Sequence, residues 1–176
     1  ALNAGDARIR GLELSSAFRP NRHWNLGLSV SLIDAKLTTG NASTLAPGIV
    51  WFAGDVLWGQ GTYVNSVIVS SSLQTGANNL TSAVNYAGYQ AVCANTSFPG
   101  LYPTQLCDTS KRVMKASSVG NIGMLAGSYK NGSVFVGGVI DLTSSITVNG
   151  SILAGDVLKT GGNTVVRGFI TTGGQG

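Results

Sequence analysis

The sequence predicts an all-β fold, a β-solenoid of the β-helix kind. It is expected to be right-handed, with rungs of about 18 residues and one disulfide-closed side insert. Three observations predict it. First, apolar triplets ended by glycine recur at one fixed spacing: Val134-Phe135-Val136-Gly137-Gly138, then Ile152-Leu153-Ala154-Gly155-Asp156, then Ile170-Thr171-Thr172-Gly173-Gly174. Val139-Ile140 answers to Val157-Leu158 at the same period, and Val148-Asn149-Gly150 to Val166-Arg167-Gly168. Second, Ala53-Gly54-Asp55-Val56-Leu57 is repeated letter for letter as Ala154-Gly155-Asp156-Val157-Leu158, and Val67-Ile68-Val69 follows Val50-Trp51-Phe52 at nearly the same interval. Third, 43% of the residues are hydrophobic but only 10% are charged, against about 25% charged in an average soluble domain. A stack of short strands and tight corners needs that balance: an aliphatic interior, and an outer face of hydroxyls and amides.

Residues 1–40 differ in texture and are expected to form an N-terminal strand pair or cap. Arg8-Ile9-Arg10-Gly11-Leu12-Glu13-Leu14 and Asn25-Leu26-Gly27-Leu28-Ser29-Val30-Ser31-Leu32 alternate with period 2, as half-buried antiparallel strands do. Arg19-Pro20-Asn21-Arg22 reads as the loop between them. These strands are either a first pair of rungs or a capping hairpin. Residues 41–176 are expected to be the solenoid domain. Leu45-Ala46-Pro47-Gly48 turns the chain into its first rung. In the rungs, glycine at a corner permits a sharp bend, and the Asp beside it can accept from nearby backbone N–H groups. Apolar runs this short leave no room in the rungs for a helix of ten or more residues. Residues 84–117 break the period, with Pro99 and Pro103 among turn residues, and are read as a side insert. Asn121-Ile122-Gly123-Met124-Leu125-Ala126-Gly127 resumes the rung texture.

Cys93 and Cys107 are the two cysteines. Fourteen apart in a loop-rich insert, they read as one disulfide, which implies an oxidising, extracytoplasmic compartment. Two free thiols in a cytosolic protein are the bland alternative. No metal or cofactor is expected, since His23 stands far from both cysteines. His23 sits beside Arg22 and Trp24 in a loop and reads as a surface residue. No base and orienting acid gather around any Ser or Thr, so no catalytic residue is assigned. Asp55, Asp141 and Asp156 sit on rungs, where polysaccharide-cleaving β-helices carry acids. The shared corner motif of Asp55 and Asp156 explains both without catalysis, and no enzyme activity is expected. The net charge of +4 is spread thinly, without the dense basic run that tracks a phosphate backbone, so no nucleic-acid partner is expected. No run approaches the roughly 18 apolar residues of a spanning helix. No leader pattern opens the chain, so Ala1 reads as a processed or excised start.

Candidate surface-binding residues are Trp51, Trp58, Thr147 and Thr171. Trp51, Phe52, Trp58 and Tyr63 could form a sugar-stacking face or the core of wide rungs. Trp51 and Phe52 are adjacent, so in a strand one points in and the other out. Thr143, Thr147, Thr160, Thr164, Thr171 and Thr172 could form a flat array suited to ice or crystalline polysaccharide, or simply be outward strand residues.

Several of these motifs also occur together in a known family. The series Leu45-Ala46-Pro47-Gly48-Ile49-Val50-Trp51-Phe52-Ala53-Gly54-Asp55, Asn85-Tyr86-Ala87-Gly88-Tyr89, the Cys93 to Cys107 insert with Phe98-Pro99-Gly100-Leu101-Tyr102-Pro103-Thr104, and Gly120-Asn121-Ile122-Gly123-Met124-Leu125-Ala126-Gly127-Ser128-Tyr129 resembles the C-terminal domains of bacterial PilX-type pilus-assembly proteins, large minor-pilin-like surface proteins. Gly161-Gly162-Asn163-Thr164 to Gly168 fits as well. The resemblance covers about residues 45–176. It implies an extracytoplasmic β-solenoid displayed on a pilus or cell surface. Leu45-Ala46-Pro47-Gly48 and Ser145-Ile146-Thr147-Val148-Asn149-Gly150 are more loosely similar to bacterial ice-binding β-solenoids, whose long helix along the rod has no counterpart in this sequence. Residues 3–37 resemble a strand–turn–strand unit of TonB-dependent outer-membrane receptor barrels.

The expected function is therefore that of an extracytoplasmic structural or adhesive surface protein, associated with a pilus or filament. Its partners would be its own copies, through end-to-end assembly, or pilus and cell-surface components. An ice- or polysaccharide-binding module is the first alternative and a fragment of an outer-membrane receptor the second.

Overall fold

The computed structural model describes residues 7–21, 24–37, 45–130 and 132–174, with side chains described within 45–130 and 132–174. Strands dominate. β1 (Ala7–Asn21) and β2 (Trp24–Leu37) pair antiparallel, Leu12 opposite Leu32 and Leu14 opposite Val30. The alternation of the sequence thus corresponds to a hairpin; a pair of rungs would run parallel. β1 continues through Arg19 and Pro20, where the sequence predicts a loop, with a register shift between Phe18 and Asn21. An irregular ladder position tolerates a proline because no N–H is required there. His23 lies outside the described residues.

From Gly48 onward the strands fall into three parallel sheets that the chain visits in a fixed order. β3 (Gly48–Phe52), β4 (Val56–Trp58) and β5 (Gly61–Tyr63) make a first lap. β6 (Asn65–Val69), β7 (Leu73–Thr75) and β8 (Asn79–Ser82) make a second. An excursion follows, holding α1 (Val84–Cys93), β9 (Cys107–Asp108) and β10 (Val113–Met114). The third lap is β11 (Ile122–Ala126), then a hairpin of β12 (Ser128–Lys130) and β13 (Val134–Val136), then β14 (Ile140–Leu142) and β15 (Ile146–Asn149). β16 (Ser151–Ala154), β17 (Leu158–Thr160) and β18 (Val165–Arg167) form the fourth, and β19 (Ile170–Thr172) closes the described strands. The sheet orders are β19-β16-β11-β6-β3, β17-β14-β7-β4 and β18-β15-β8-β5.

The register carries the periods read from the sequence. Val50 stands opposite Val67 and Phe52 opposite Val69. Ile140 stands opposite Leu158, Val148 opposite Val166 and Ile152 opposite Ile170, each pair one period apart. One triplet departs from the expected stacking. Val134–Val136 does not lie on Ile152–Ala154; it is the second arm of the β12–β13 hairpin, with Phe135 opposite Tyr129. The strand paired with β16 is β11, Met124 opposite Ile152 and Ala126 opposite Ala154.

Alternation buries one side of each strand. Val56, Trp58, Tyr63, Val67, Val69, Leu73, Met124, Ala126, Ile140, Leu142, Ile146, Val148, Ile152 and Ala154 form one core shared by the three sheets. Apolar side chains on short, tightly turned strands can be removed from water only by stacking on the same column of the neighbouring lap, which makes the laps interdependent. Corners are tight for the same reason. The N–H of Gly155 donates to Ala126 O and that of Gly173 to Ala154 O. A Cβ on Gly155 would run into the ring of Phe135, which the β12–β13 hairpin lays across this corner. Gly127, with φ +108°, makes the turn from β11 into that hairpin.

The excursion holds a second core. Val84, Val92, Cys93 and Cys107 are buried together, with Tyr89, Tyr102, Leu106 and Met114 packed around them. Cys93 and Cys107 form the expected disulfide, their Cα atoms 5.7 Å apart. The chain returns to the sheets at Ile122, later than the insert end at residue 117 read from the sequence. The helix α1 has no counterpart among the elements expected from the sequence. It is interrupted by Gly88 at φ 78° and ψ 174°, which leaves two short helical pieces.

Candidate functional site

Three regions can meet a partner: the outer face of the five-stranded sheet, the disulfide-bonded excursion, and the end of the stack formed by β17, β18 and β19.

On the five-stranded sheet, the outward column runs Trp51, Ile68, Leu125, Leu153, Thr171. Trp51 is 63% exposed, while the adjacent Phe52 packs against the core, as strand alternation requires. Trp58 is different. It is fully enclosed, and its Nε1–H donates to Thr81 Oγ1 at 2.9 Å. Its ring lies 4.2 Å from that of Tyr63 and meets Phe52 edge-on at 6.3 Å. Trp58 is therefore a core residue and not part of a binding face, because Val56 and Trp58 point the same way along β4 and both face the interior. Burial raises the Tyr63 hydroxyl above its ordinary pKa.

The threonines do not gather into one array. Thr147 points outward on β15 between Leu80 and Val165. Thr171 is outward on β19, on a different sheet. Thr160 stands opposite the buried Leu142, and Thr172 opposite the buried Ala154, so both occupy inward columns. Thr164 lies between strands and donates to Gly161 O. A flat ice-matching surface is lost with this dispersal, and of the proposed contact residues Trp51 keeps a position suited to stacking on a sugar.

The acids are separated. Asp55 and Asp156 sit at the same corner of the first and fourth laps, three ladder steps apart, roughly 14 Å at strand spacing. Paired catalytic carboxylates stand about 5–10 Å apart. Asp141 lies on the outer face of β14, opposite Gln74 and Lys159. Among the described residues no group of three His, Cys, Asp or Glu is placed to hold a metal, and no helix is long and apolar enough to cross a membrane.

Asp55 does what its corner position suggests. Its carboxylate accepts the Ser72 N–H at 2.9 Å, joining the first lap to the second. The Ser71 side chain and then the Ser72 backbone hold its pKa below the ordinary carboxylate value. A lowered folded pKa contributes stability that is present above the unfolded value, about 3.9, and lost as pH falls through the folded one. Acid titration is thus expected to loosen this corner below about pH 4. Asp55→Asn should fall less steeply than the parent chain over that window when urea midpoints are compared across pH; identical slopes would remove Asp55 from the account.

In the excursion, Asn85 ties start to end. Its Nδ2 donates to Ser117 O at 2.7 Å and to Asn121 Oδ1 at 2.9 Å. Asp108 accepts from Ser110 Oγ and from the Lys111 N–H, which fixes the turn into β10 and lowers its pKa.

The end of the stack does not stand out residue by residue in the sequence. Leu158, Thr160, Val166, Ile170 and Thr172 continue the inward columns of Ile140, Leu142, Val148, Ile152 and Ala154. Among the described residues no strand pairs with their free side. Ile170 is 52% exposed although its column is buried in every earlier lap from Val67 on. At the neighbouring corner, Asp156 Oδ1 is buried and has no hydrogen-bond partner among the described residues. The duplicated Ala-Gly-Asp-Val-Leu motif is not in register across the laps: Val56 shares its column with Leu73, Ile140 and Leu158, which puts Asp55 level with Val157 and leaves Asp156 one position earlier.

No protein-family model matches this chain, and no curated protein or solved structure matches it either.

Proposed function

We propose that residues 45–176 form a right-handed β-solenoid rod with rungs of about 18 residues, within the usual range for stacked repeats. The protein itself is an extracytoplasmic structural or adhesive element of a bacterial surface, associated with a pilus or filament. The observation that carries the reading is the fixed order in which the chain visits three parallel sheets, lap upon lap, with a disulfide-closed excursion set to one side. Strand–crossover–strand connections within one parallel sheet are right-handed in about 98% of cases. A rod of this kind displays long, flat, weakly charged faces, which suits contact over an extended surface. The disulfide favours an oxidising compartment. Antibodies raised against the purified chain are expected to label intact cells that produce it, and to co-localise with surface filaments in immunogold microscopy. Labelling that appears only after the cells are permeabilised would overturn the reading.

A further inference from the structure

Charge is divided unevenly between the laps and the excursion. Between residues 45 and 174, Asp55, Asp141 and Asp156 on the laps are matched one for one by Lys130, Lys159 and Arg167 on the laps and the β12–β13 hairpin. Residues 84–121 hold Lys111, Arg112 and Lys115 against Asp108 alone. Three cations against one acid leave a net +2, so the whole net charge of this part of the chain sits on the excursion. The three cations fall together at the tip where β9 turns into β10, and all three are exposed.

The tip is held in shape from behind. The Asp108 carboxylate accepts from Ser110 Oγ at 2.7 Å and from the Lys111 N–H at 3.0 Å, which closes the turn. Arg112 completes it in the left-handed region, at φ 53°. The ladder then resumes. Val113 stands opposite Asp108 and Met114 opposite Cys107, and the Lys115 N–H donates to Leu106 O at 2.8 Å. Cys107 is bonded to Cys93 at the end of α1, so the disulfide anchors the strand behind the tip. Met114 packs on the core of the excursion. Its neighbour Val113 turns the other way, as strand alternation requires, and is 47% exposed. An apolar side chain thus lies among the three cations on a turn whose shape is already set, which lowers the ordering cost of binding.

We infer that this tip docks on an anionic lipid bilayer, with Lys111, Arg112 and Lys115 among the phosphate headgroups and Val113 dipping beneath them. Charge complementarity sets the sign of the partner. Each cation near an acidic bilayer raises partitioning about fivefold, and the laps, with charges that cancel, offer no rival patch. Val113 sets the class. A soluble polyanion would engage the cations and leave Val113 in water, whereas a bilayer takes both. Cations joined to an apolar side chain are the two signals that peripheral binding to a bilayer needs. Three cations are too few for a nucleic-acid backbone, where a binding protein neutralises about 6–10 phosphates. The inference does not rest on the filament reading. Failure of the immunogold co-localisation leaves it standing, and a tip indifferent to lipid leaves the surface assignment intact.

Co-sedimentation of the full chain with vesicles tests it, using phosphatidylcholine alone and phosphatidylcholine with about one-third phosphatidylglycerol. The expected result is binding to the acidic vesicles only, falling as added salt shortens the screening length. Changing Lys111→Gln, Arg112→Gln and Lys115→Gln together should lower partitioning by about 100-fold. Lys130→Gln with Lys159→Gln removes charge elsewhere and should change it by less than about threefold. Val113→Ser should weaken vesicle binding about fivefold and leave retention on immobilised inorganic polyphosphate unchanged. The substituted side chains are all exposed, so circular dichroism of each variant should match the parent. Amide hydrogen exchange of the parent chain supplies a readout that needs no substitution: on acidic vesicles, protection should rise over residues 109–115 and stay constant in β14 and β16. No binding to acidic vesicles, equal binding to neutral ones, or an equal loss from the Lys130 and Lys159 changes would each overturn the inference. So would vesicle binding indifferent to Val113 alongside retention on polyphosphate, which would mark the tip as a site for soluble polyanions.

Discussion

Trp58→Ala is expected to destabilise the protein by about 3–5 kcal/mol, the range for truncating a large buried aromatic. The indole is fully enclosed, meets Tyr63 and Phe52, and stands above Thr75 in the column that continues to Leu142. Its removal opens a void between three sheets whose corners are held by backbone hydrogen bonds, so collapse around the gap is limited. The loss also reaches a polar chain inside the stack. Trp58 Nε1–H donates to Thr81 Oγ1, Thr81 Oγ1–H to Asn79 Oδ1 at 2.7 Å, and Asn79 Nδ2 to Gly59 O. Trp58→Phe keeps most of the volume and loses the first of these bonds, and should cost nearer to about 1 kcal/mol. Trp51→Ala, on the exposed face of the preceding strand, should stay within about 0.5 kcal/mol of the parent. Urea midpoints of the three variants, read by circular dichroism, check the order. Equal losses at Trp51 and Trp58 would show that the interior is not organised as described.

That contrast marks what the sequence could convey. The recurrence of the later laps is legible because their corner positions Gly127, Gly155 and Gly173 leave no room for a Cβ, whereas Ala53 and Ser70 hold the same position in the first two laps. The alternation of Trp51 and Phe52 is legible because both lie in one strand. Phase across a corner is not. Trp58, Thr160 and Thr172 each follow a bend, and a bend of one residue more or less exchanges inside for outside. Hence two threonines and a tryptophan expected on the surface lie on inward columns. The triplet Val134-Phe135-Val136 misleads for a related reason. An apolar run ended by two glycines fits a rung, and Asn131-Gly132 just before it, a strong hairpin dipeptide, is the signal for the β12–β13 hairpin. The helix α1 is hidden by Gly88, which argues against a helix on propensity and in the structure interrupts it.

Replacing both cysteines by serine, or reducing the Cys93–Cys107 bond, is expected to remove about 3 kcal/mol from the excursion, the chain-entropy value for closing a loop of this length. The effect should be local. Residues 84–121 have their own apolar cluster around Val84 and Val92 and join the sheets at two neighbouring points, Ala83, whose N–H donates to Asn149 O, and Ile122. The laps on either side are paired to each other directly, Met124 to Val67 and Ile140 to Leu73. They do not depend on the excursion for their ladders. Hydrogen exchange should therefore show the amides of α1, β9 and β10 losing protection on reduction while those of β11, β14 and β16 keep theirs, a sub-global opening. Limited proteolysis should cut first between residues 94 and 106, where the chain is mostly exposed and carries little regular structure. Simultaneous loss of protection in β14 and β16 would mean that the excursion is a structural keystone of the laps. The expected outcome bears on compartment too. In a reducing cytosol the excursion would spend much of its time open and exposed to proteases, whereas in an oxidising environment it stays folded against the stack, so survival of the intact chain after export is a direct measure of what the disulfide contributes.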